Sequence, residues 1–303
     1  MDLDDGQHFR VRDAIAAGFA RAAVDASRFD MPFHGLRSPL GGASEVVDRC
    51  RAYRLKMRPD AAFTALTAAA LWGVPLPARV DFSRIHVSVP HGMPRPRSRG
   101  VIGSERGWDV EVVTLGGLRV LEPAAMWASL GTWLGIADLV AAGDYVIGGA
   151  GSPSRTNGDR LNAAITRNAP GAPRLGAALR HVRPGSMSRP ESLLRVLLTM
   201  GGVPEPALNL RLAELPFVLD LAWPQVRFGI EYQGDHHRDP AQFGADIRRQ
   251  ELVHDRGWLL MGVTRYDLFD RPLELLERAR SRLADRGVAS KGHHPPNWAL
   301  PRR

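Results

Sequence analysis

The sequence predicts an α/β protein whose C-terminal portion is a mixed sheet flanked by helices, in the element order αβββαβ. Two strand-like runs, 217–223 and 228–233, alternate in side-chain character, and residues 258–263 form a further apolar run. A helix is predicted over residues 189–200, with Leu193, Leu194, Leu197 and Leu198 as its packing face. A small helical segment and a mixed α+β portion are predicted to precede this part of the chain.

Residues 1–43 are predicted to form a small winged helix-turn-helix. The run HFRVRDAIAAG favours a helix ending at Gly18, ARAAVDASRF a second helix, and MPFHGLRSP an extended wing. The spacing of Gly18-Phe19 and Gly35-Leu36-Arg37 resembles the N-terminal winged helix of abortive-infection-type antitoxins. This resemblance implies docking on DNA, with Arg21 and Arg28 near phosphates. The alternative is a helical hairpin that only packs on the next domain.

Residues 44–150 are predicted to form a mixed α+β middle domain, in an order that also resembles the antitoxin family. Helices are expected at 45–56, 60–72, 123–134 and 136–147, and strands at 84–90, 110–114 and 118–120. A basic segment after the first of these strands contains Arg95, Arg97 and Arg99. These side chains either follow a phosphate backbone or belong to a solvated loop.

Residues 151–187 are predicted to be a helical linker region. A Gly/Ser-rich stretch at 148–157 indicates a loop, and helices are expected after it at 159–166 and 173–182. The C-terminal domain is predicted to cover residues 188–290, with helices from 239 to about 255 and at 273–283. Residues 291–303 form a tail.

Two acidic residues lie in the central strands of the predicted sheet. By alternation, Asp220 projects from the face opposite Leu219 and Leu221, and Glu231 shares a face with Gln233. A connection of two residues (224–225) or four (224–227) would bring both carboxylates to one surface. Because Mg²⁺ prefers oxygen ligands and is often held by one or two carboxylates, the pattern predicts a metal site. A solvated surface charge is the alternative, but an unpaired carboxylate in an apolar strand is costly.

The same residues resemble the PD-(D/E)XK nuclease signature. Asp220 is followed, after ten intervening residues, by Glu231-Tyr232-Gln233-Gly234 and then His236-His237. The similarity is to very-short-patch-repair-like endonucleases and extends over about residues 188–283. It implies that Asp220 and Glu231 bind Mg²⁺, with Mn²⁺ as a substitute. It also implies that His236 or His237 moves a proton or stabilises the phosphate. Gln233, where the family has Lys or an acid, would position the attacking water.

Further roles are expected on the helices that flank the predicted sheet. Glu191 could bind a second metal ion through water, but Ser188-Arg189-Pro190-Glu191 is also a capping box with Pro in the first turn. Arg195 lies one turn beyond Glu191 and either bridges to it or places a positive charge near the metal and the DNA, where it could offset charge in the transition state. Arg248, on the following helix, is a second candidate for that role. Arg248 and Arg249 could both contact DNA, with a solvated helix face as the alternative.

The composition favours a polyanionic partner. The net charge is +8 and the pI is near 10.6, as is typical of proteins that bind nucleic acid. No apolar run approaches the length of a membrane span, so no membrane association is expected. The N-terminus has no apolar signal-peptide core, and Cys50 alone cannot form an intrachain disulfide. A cytoplasmic protein is expected.

The sequence therefore predicts an Mg²⁺-dependent endonuclease that hydrolyses DNA phosphodiester bonds, by nicking or by double-strand cleavage. The alternative is a non-catalytic antitoxin or transcriptional repressor that binds DNA, has a degenerate nuclease fold and pairs with a cognate toxin. Gln233 favours the alternative, whereas Asp220, Glu231 and the histidine pair favour the enzyme. Sequence alone does not separate DNA from RNA as the substrate.

Overall fold

The computed structural model describes residues 6–25, 27–42, 44–148, 154–167, 169–212, 217–234, 248–249 and 251–302. The chain forms two compact units, Met1–Trp133 and Leu134–Arg303. The sequence predicts a domain boundary at residue 150, whereas the two compact units divide between residues 133 and 134. The helix Ile136–Ile147 joins the second unit because two of its carboxylates make buried ion pairs there, Asp138 with Arg189 and Asp144 with Arg195.

The first unit begins with a small antiparallel sheet in the order β1-β3-β2. Its elements are β1 (Phe9–Arg10), α1 (Val11–Ala16), α2 (Arg21–Val24), β2 (Phe29–Asp30) and β3 (Leu36–Pro39). Phe9, Val11, Ala14 and Val24 form its buried cluster. The first helix begins later than the sequence predicts, because Phe9 and Arg10 are extended and pair with β3.

The rest of the first unit is a mixed five-stranded sheet, in the order β6-β5-β4-β8-β7, with helices. Its elements are α3 (Val46–Arg54), β4 (Ala62–Phe63), α4 (Ala65–Leu71), β5 (Ile85–Pro90), β6 (Val101–Arg106), β7 (Val112–Leu115), β8 (Leu118–Leu121) and α5 (Pro123–Ser129). The helix predicted from residue 60 begins at Ala65, because Ala62 and Phe63 pair with neighbouring strands. The strand β6, which the sequence analysis did not predict, pairs in parallel with β5.

The second unit combines helices with a four-stranded sheet. The helices before the sheet are α6 (Ile136–Ile147), α7 (Gly158–Ala163), α8 (Ala172–Leu179) and α9 (Arg189–Met200). The strands are β9 (Ala207–Arg211), β10 (Val218–Trp223), β11 (Phe228–Gln233) and β12 (Leu259–Thr264). Residues 248–249 and 251–255 are helical, and the helices Arg265–Asp270 and Pro272–Ala284 follow β12.

The four-stranded sheet is mixed, with the order β12-β11-β10-β9. β10 is antiparallel to both of its neighbours, whereas β11 and β12 are parallel. Trp223 pairs with Phe228, so the hairpin connection has the four residues 224–227, one of the two lengths that the sequence allows. From α9 to β12 the described elements follow the predicted order αβββαβ, and the fold is a mixed α/β arrangement.

The C-terminal residues pack on the second unit. The Lys291 amide donates to the Gly202 carbonyl at 3.0 Å, and the Trp298 ring lies 5.4 Å from the ring of His181. The Arg302 carbonyl accepts a hydrogen bond of 2.6 Å from the buried Arg189. Residues 291–302 thus belong to this unit. Among the described helices, none is both long enough and apolar enough to cross a membrane.

Candidate active site

Asp220 lies where the regular pairing of β10 is interrupted. Leu219 and Leu221 pair with β9 on either side of it, but Asp220 itself does not. Its Oδ2 accepts a hydrogen bond of 2.8 Å from the Tyr232 amide on β11. Leu219 packs in one buried cluster with Phe217, which alternation places on the same face, and with Ala222, which alternation places on the opposite face. Strict alternation therefore does not describe the packing on both sides of Asp220.

The electrostatic surroundings of Asp220 place three carboxylates in one cluster. Burial, together with the negative charges of Glu191 and Glu231, raises the pKa of Asp220 to about 7. The Tyr232 amide and the Arg249 guanidinium act in the opposite direction but do not cancel the rise. The three acids come from α9, β10 and β11, so the tertiary fold brings together residues that are up to forty positions apart.

Glu191 is held at the N-terminal end of α9. Ser188 is the N-cap, and its Oγ accepts from the Glu191 amide at 3.3 Å. The Glu191 side chain does not complete the predicted capping box at Ser188; its Oε2 accepts instead from the Met187 amide (2.9 Å) and from Asn209 Nδ2 (3.0 Å). The carboxylate is 8% exposed. Glu191 thus stabilises the helix start and also lies in the acidic cluster.

Asn209 is a site residue that the sequence analysis did not identify. It lies on β9 with φ of +45°, in the left-handed region that asparagine tolerates better than most residues. Its Nδ2 donates to the Gly185 carbonyl at 2.7 Å as well as to Glu191. The only signal in the sequence is one polar residue in the run ALNLR, which is too weak to predict this role.

Glu231 forms an ion pair with Arg249. The distance from Arg249 Nη2 to Glu231 Oε1 is 2.5 Å, and the same nitrogen donates to the Val218 carbonyl at 3.0 Å. The guanidinium also lies 5.1 Å from the centre of the Phe217 ring. Of the two arginines predicted as possible DNA contacts on this helix, Arg248 is exposed, while Arg249 contacts the cluster. Adjacent helix residues point about 100° apart, so only one of the two can face the sheet.

Gln233 lies at the end of β11 beside β12. A Cβ atom on Gly262 would lie only 2.8 Å from Gln233 Nε2, so the Gln233 side-chain amide packs directly against Gly262. His236 and His237 lie outside the described residues. Within the described part of the chain, no group of three His, Cys, Asp or Glu side chains has the spacing of a metal site. The acidic cluster therefore supplies carboxylates without a complete ligand set.

The expectation that Arg195 contacts DNA or bridges to Glu191 is wrong. Arg195 is 1% exposed, and its Nη2 donates to Asp144 Oδ2 at 2.7 Å. Ser192 Oγ donates to the same carboxylate oxygen at 2.7 Å, and the Arg183 amide donates to Oδ1 at 2.7 Å. Arg195 is thus a structural residue that fixes α9, because no part of its guanidinium is open to a large ligand.

The arginines that the sequence analysis assigned to DNA in the first unit are all exposed. Arg21 forms an ion pair with Asp25 at 2.6 Å, and Arg95 forms one with Glu105 at 2.7 Å. The Arg28 guanidinium lies 5.0 Å from the centre of the Phe29 ring. Arg97 and Arg99 precede β6. Their exposure is compatible with phosphate contacts, which stay a prediction.

Comparisons with known proteins place few limits on this chain. No model of a known protein family matches it, and no curated protein sequence does. Among solved structures, it is similar to the crystal structure of the RV2827C protein from Mycobacterium tuberculosis, with 18% sequence identity and a TM-score of 0.41. That similarity covers 58% of this chain and 72% of the other.

Proposed function

We propose that this protein is a metal-dependent endonuclease that hydrolyses DNA phosphodiester bonds with Mg²⁺, or with Mn²⁺ in its place. The observation that carries the proposal is the acidic cluster of Asp220, Glu191 and Glu231. Burial, together with repulsion from the neighbouring carboxylates, raises the pKa of Asp220 to about 7, and carboxylates perturbed in this way are frequent at functional sites. A bound cation would remove this repulsion.

The donor groups suit Mg²⁺ better than a soft metal. The cluster offers carboxylate oxygens, and Mg²⁺ is commonly held by one or two carboxylates together with water and phosphate oxygens. Asp220 and Glu231 would be the ligands, and Glu191 would act through water. The ion pair between Arg249 and Glu231 would have to loosen as the ion binds. An Mg²⁺ site of this kind needs no third protein carboxylate, since phosphate oxygens complete it.

The bound ion would polarise the phosphate and lower the pKa of the attacking water. Gln233, at the end of β11, would orient that water by hydrogen bonding. Arg249, once displaced from Glu231, would put a positive charge near the phosphate oxygens as negative charge develops. Asn209 holds Glu191 in position through its hydrogen bond. Proton transfer is proposed for His236 or His237, on the basis of the family resemblance alone.

A cleavage assay tests this proposal directly. Supercoiled plasmid and a labelled duplex are incubated with the wild type and variants in Mg²⁺, Mn²⁺ or EDTA. We expect cleavage in either metal and none in EDTA. Asp220→Asn and Glu231→Gln should abolish it, because each removes a charge that holds the ion. Glu274→Gln is the matched control, since Glu274 is an exposed glutamate of the same unit, and it should cut like the wild type.

Gln233→Lys provides a second test in the same assay. The change introduces the side chain that the resembled family more often has, and it gives the attacking water a cationic neighbour. The cleavage rate should rise if the amide limits the wild type. Absence of cleavage by the wild type and by Gln233→Lys with every divalent metal would end the nuclease proposal.

A DNA-binding regulator without catalytic activity is the second candidate. The specific observation in its favour is the Glu231–Arg249 ion pair, which satisfies one proposed metal ligand internally. Gln233, which stands where the resembled family has Lys or an acid, also favours this candidate. On this proposal the protein binds DNA and cuts none, and the resemblance to antitoxins suggests a toxin as partner. Binding in EDTA together with the cleavage assay separates the two candidates.

A further inference from the structure

A large groove in the first unit has a lining rich in positive charge. It has a volume of about 1610 Å³ and is bordered by β1, α1, the segment before β3, α3, and residues 83–84 and 98–101. Its cationic side chains include Arg10, Arg12, Arg49, Lys56, Arg84 and Arg99. Arg21 and Arg37 also line it, and both form ion pairs with Asp25. Among the described residues of the lining there is neither Asp nor Glu.

Some of these cations are held in place by the fold. Arg49 Nη2 donates to the Ser83 carbonyl at 2.6 Å, and its guanidinium lies 5.2 Å from the centre of the Phe33 ring. Lys56 Nζ donates to the His34 carbonyl at 3.2 Å. These contacts use carbonyl oxygens and rings. The exposed Asp81 carboxylate, which does not line the groove, interacts electrostatically with Arg49 and Arg84. The hydrogen bonds of Arg49 and Lys56 hold these two side chains in place for an anion in the groove.

Other cations of the groove are exposed and available. Arg12, Arg84 and Arg99 are exposed. In the part of the chain that the structure describes, neither Arg84 nor Arg99 has a hydrogen bond or an ion pair. Arg12 pairs at 3.2 Å with Asp13, which is itself half exposed, so that contact is weak in water. Burial lowers the pKa of Lys56, and a nearby anion would oppose this effect.

We propose that this groove binds the phosphodiester backbone of a nucleic acid. A chain of phosphates places one negative charge at regular intervals, which suits cations that are distributed along a groove. The net charge of +8 favours the same class of partner by long-range attraction. The inference takes its ligand from the proposed function, but it rests on residues of the first unit, so the two can fail separately.

Binding in EDTA tests the groove without cleavage. Labelled duplex DNA, single-stranded DNA and RNA of one length are titrated with the wild type at several salt concentrations. The groove variant carries Arg12→Ala, Arg84→Ala and Arg99→Ala, all at exposed positions. The control variant carries Arg51→Ala, Arg54→Ala and Arg58→Ala, which are exposed arginines of the same unit outside the groove. Both variants lose three positive charges, and thermal melting confirms that each is folded.

We expect the groove variant to lose affinity by about tenfold or more at moderate salt, because up to three phosphate contacts disappear. The slope of log affinity against log salt should fall by about three for the groove variant. The control variant should keep the wild-type slope. The nucleic acid that the wild type binds most tightly identifies the ligand among the three probes.

Three outcomes would overturn the inference. Equal losses in the two variants would mean that net charge, not the groove, determines binding. Failure of the wild type to bind any probe at low salt would exclude a nucleic acid. Binding to phosphatidylserine vesicles with no nucleic-acid binding would assign the groove to a lipid surface. Asp220→Asn is measured in parallel, and retained binding by that variant keeps the result independent of the nuclease proposal.

Discussion

At the scale of single residues, the properties of the candidate site are concentrated at Asp220. Its carboxylate accepts the Tyr232 amide, lies near two other acids and is partly buried. The hydrogen bond and the Arg249 guanidinium favour the ionised form, while burial and the acids disfavour it more strongly. The result is a carboxyl group that titrates near neutral pH, which makes its effects accessible to simple experiments.

The first residue-scale prediction concerns stability. The folded-state pKa of Asp220 is raised to about 7 from an ordinary value of 3.8, so the unfolded chain loses its proton first as pH rises. Stability is therefore lost between these two values and stays low above them. Asp220→Asn removes this loss and should stabilise the protein by roughly 2–4 kcal/mol at pH 8 and by little at pH 4. Urea unfolding at both pH values measures it, and an equal effect at both would contradict it.

The second prediction concerns the pH dependence of cleavage. If the proposed cation binds the ionised form of Asp220, cleavage should increase as pH rises through about 7. Because metal and proton compete for the carboxylate, the midpoint should move to lower pH as the Mg²⁺ concentration increases. Rates measured over pH at several Mg²⁺ concentrations provide the check. A midpoint that does not respond to Mg²⁺ would assign the titration to another group.

The third prediction concerns Arg249. Its positive charge lowers the pKa of Asp220, so Arg249→Gln should raise that pKa further. A higher folded-state pKa means a larger loss of stability at high pH, so the variant should be less stable than the wild type at pH 8. The difference should shrink at pH 4, where the Asp220 carboxyl group is protonated. Arg248→Gln is the control, because Arg248 is adjacent and exposed, and urea unfolding should show little change for it.

At the scale of elements, the helix α9 is fixed by buried charges that come from α6. The pairs Arg189–Asp138 and Arg195–Asp144 each have a distance of 2.7 Å, and all four side chains are less than 10% exposed. Such pairs add little net stability, but removing one partner leaves a buried charge without compensation. Since α9 also carries Glu191, these pairs determine where that carboxylate lies relative to the sheet.

This arrangement leads to the fourth prediction. Asp144→Ala removes the close partner of the buried Arg195 and leaves only the half-exposed Glu205 carboxylate, 3.9 Å from Arg195 Nη1. The variant should be destabilised by about 3–5 kcal/mol. The double variant Asp144→Leu, Arg195→Met should be less destabilised, because neither charge remains to be buried. Asp285→Ala, at an exposed position, should change stability little. Urea unfolding midpoints compare the three variants. A mild effect of Asp144→Ala would mean that water reaches Arg195 readily.

At the scale of the whole molecule, the proposed nucleic-acid binding and the proposed cleavage are assigned to different compact units. The basic groove belongs to Met1–Trp133, and the acidic cluster belongs to Leu134–Arg303. The positive charge of one attracts phosphates, while the negative charge of the other requires a cation before phosphates can approach. This separation implies that affinity for nucleic acid and cleavage can be changed independently.

The fifth prediction follows from that separation. In the cleavage assay, the groove variant should need a higher DNA concentration for half of its maximal rate. Asp220→Asn should abolish cleavage at every DNA concentration while binding in EDTA persists. Effects of distant changes usually add in free energy, so the combined variant should show no cleavage and the weakened binding in EDTA of the groove variant. Loss of DNA binding in Asp220→Asn would show that the two units do not act separately.

Several features of the fold were predictable from local patterns in the sequence. The alternation in 217–223 and 228–233 predicted two strands, and the structure has them at Val218–Trp223 and Phe228–Gln233. Ser188 and Pro190 predicted the start of α9, where Ser188 is the N-cap. These predictions hold because capping and strand alternation depend on residues that are close in sequence.

Other features depended on contacts between distant residues. The sequence predicted that Ala62 and Phe63 are helical, but two partner strands hold them extended. It placed Arg195 near DNA, yet Asp144 binds it in the interior. Asn209 was given no site role, and Arg249 was expected only to contact DNA or solvent. Nothing in their local sequence shows that they contact Glu191 and Glu231.

The sequence by itself determined the mixed α/β class, the positive charge and the acidic residues Asp220 and Glu231. Composition and short-range periodicity carry that information directly. Only the tertiary structure decided that Glu191 joins these acids and that the carboxylate of Asp220 turns towards the Tyr232 amide. Burial and charge clustering depend on which elements pack together. The raised pKa of Asp220 therefore depends on the tertiary fold and cannot be derived from any one segment of the sequence.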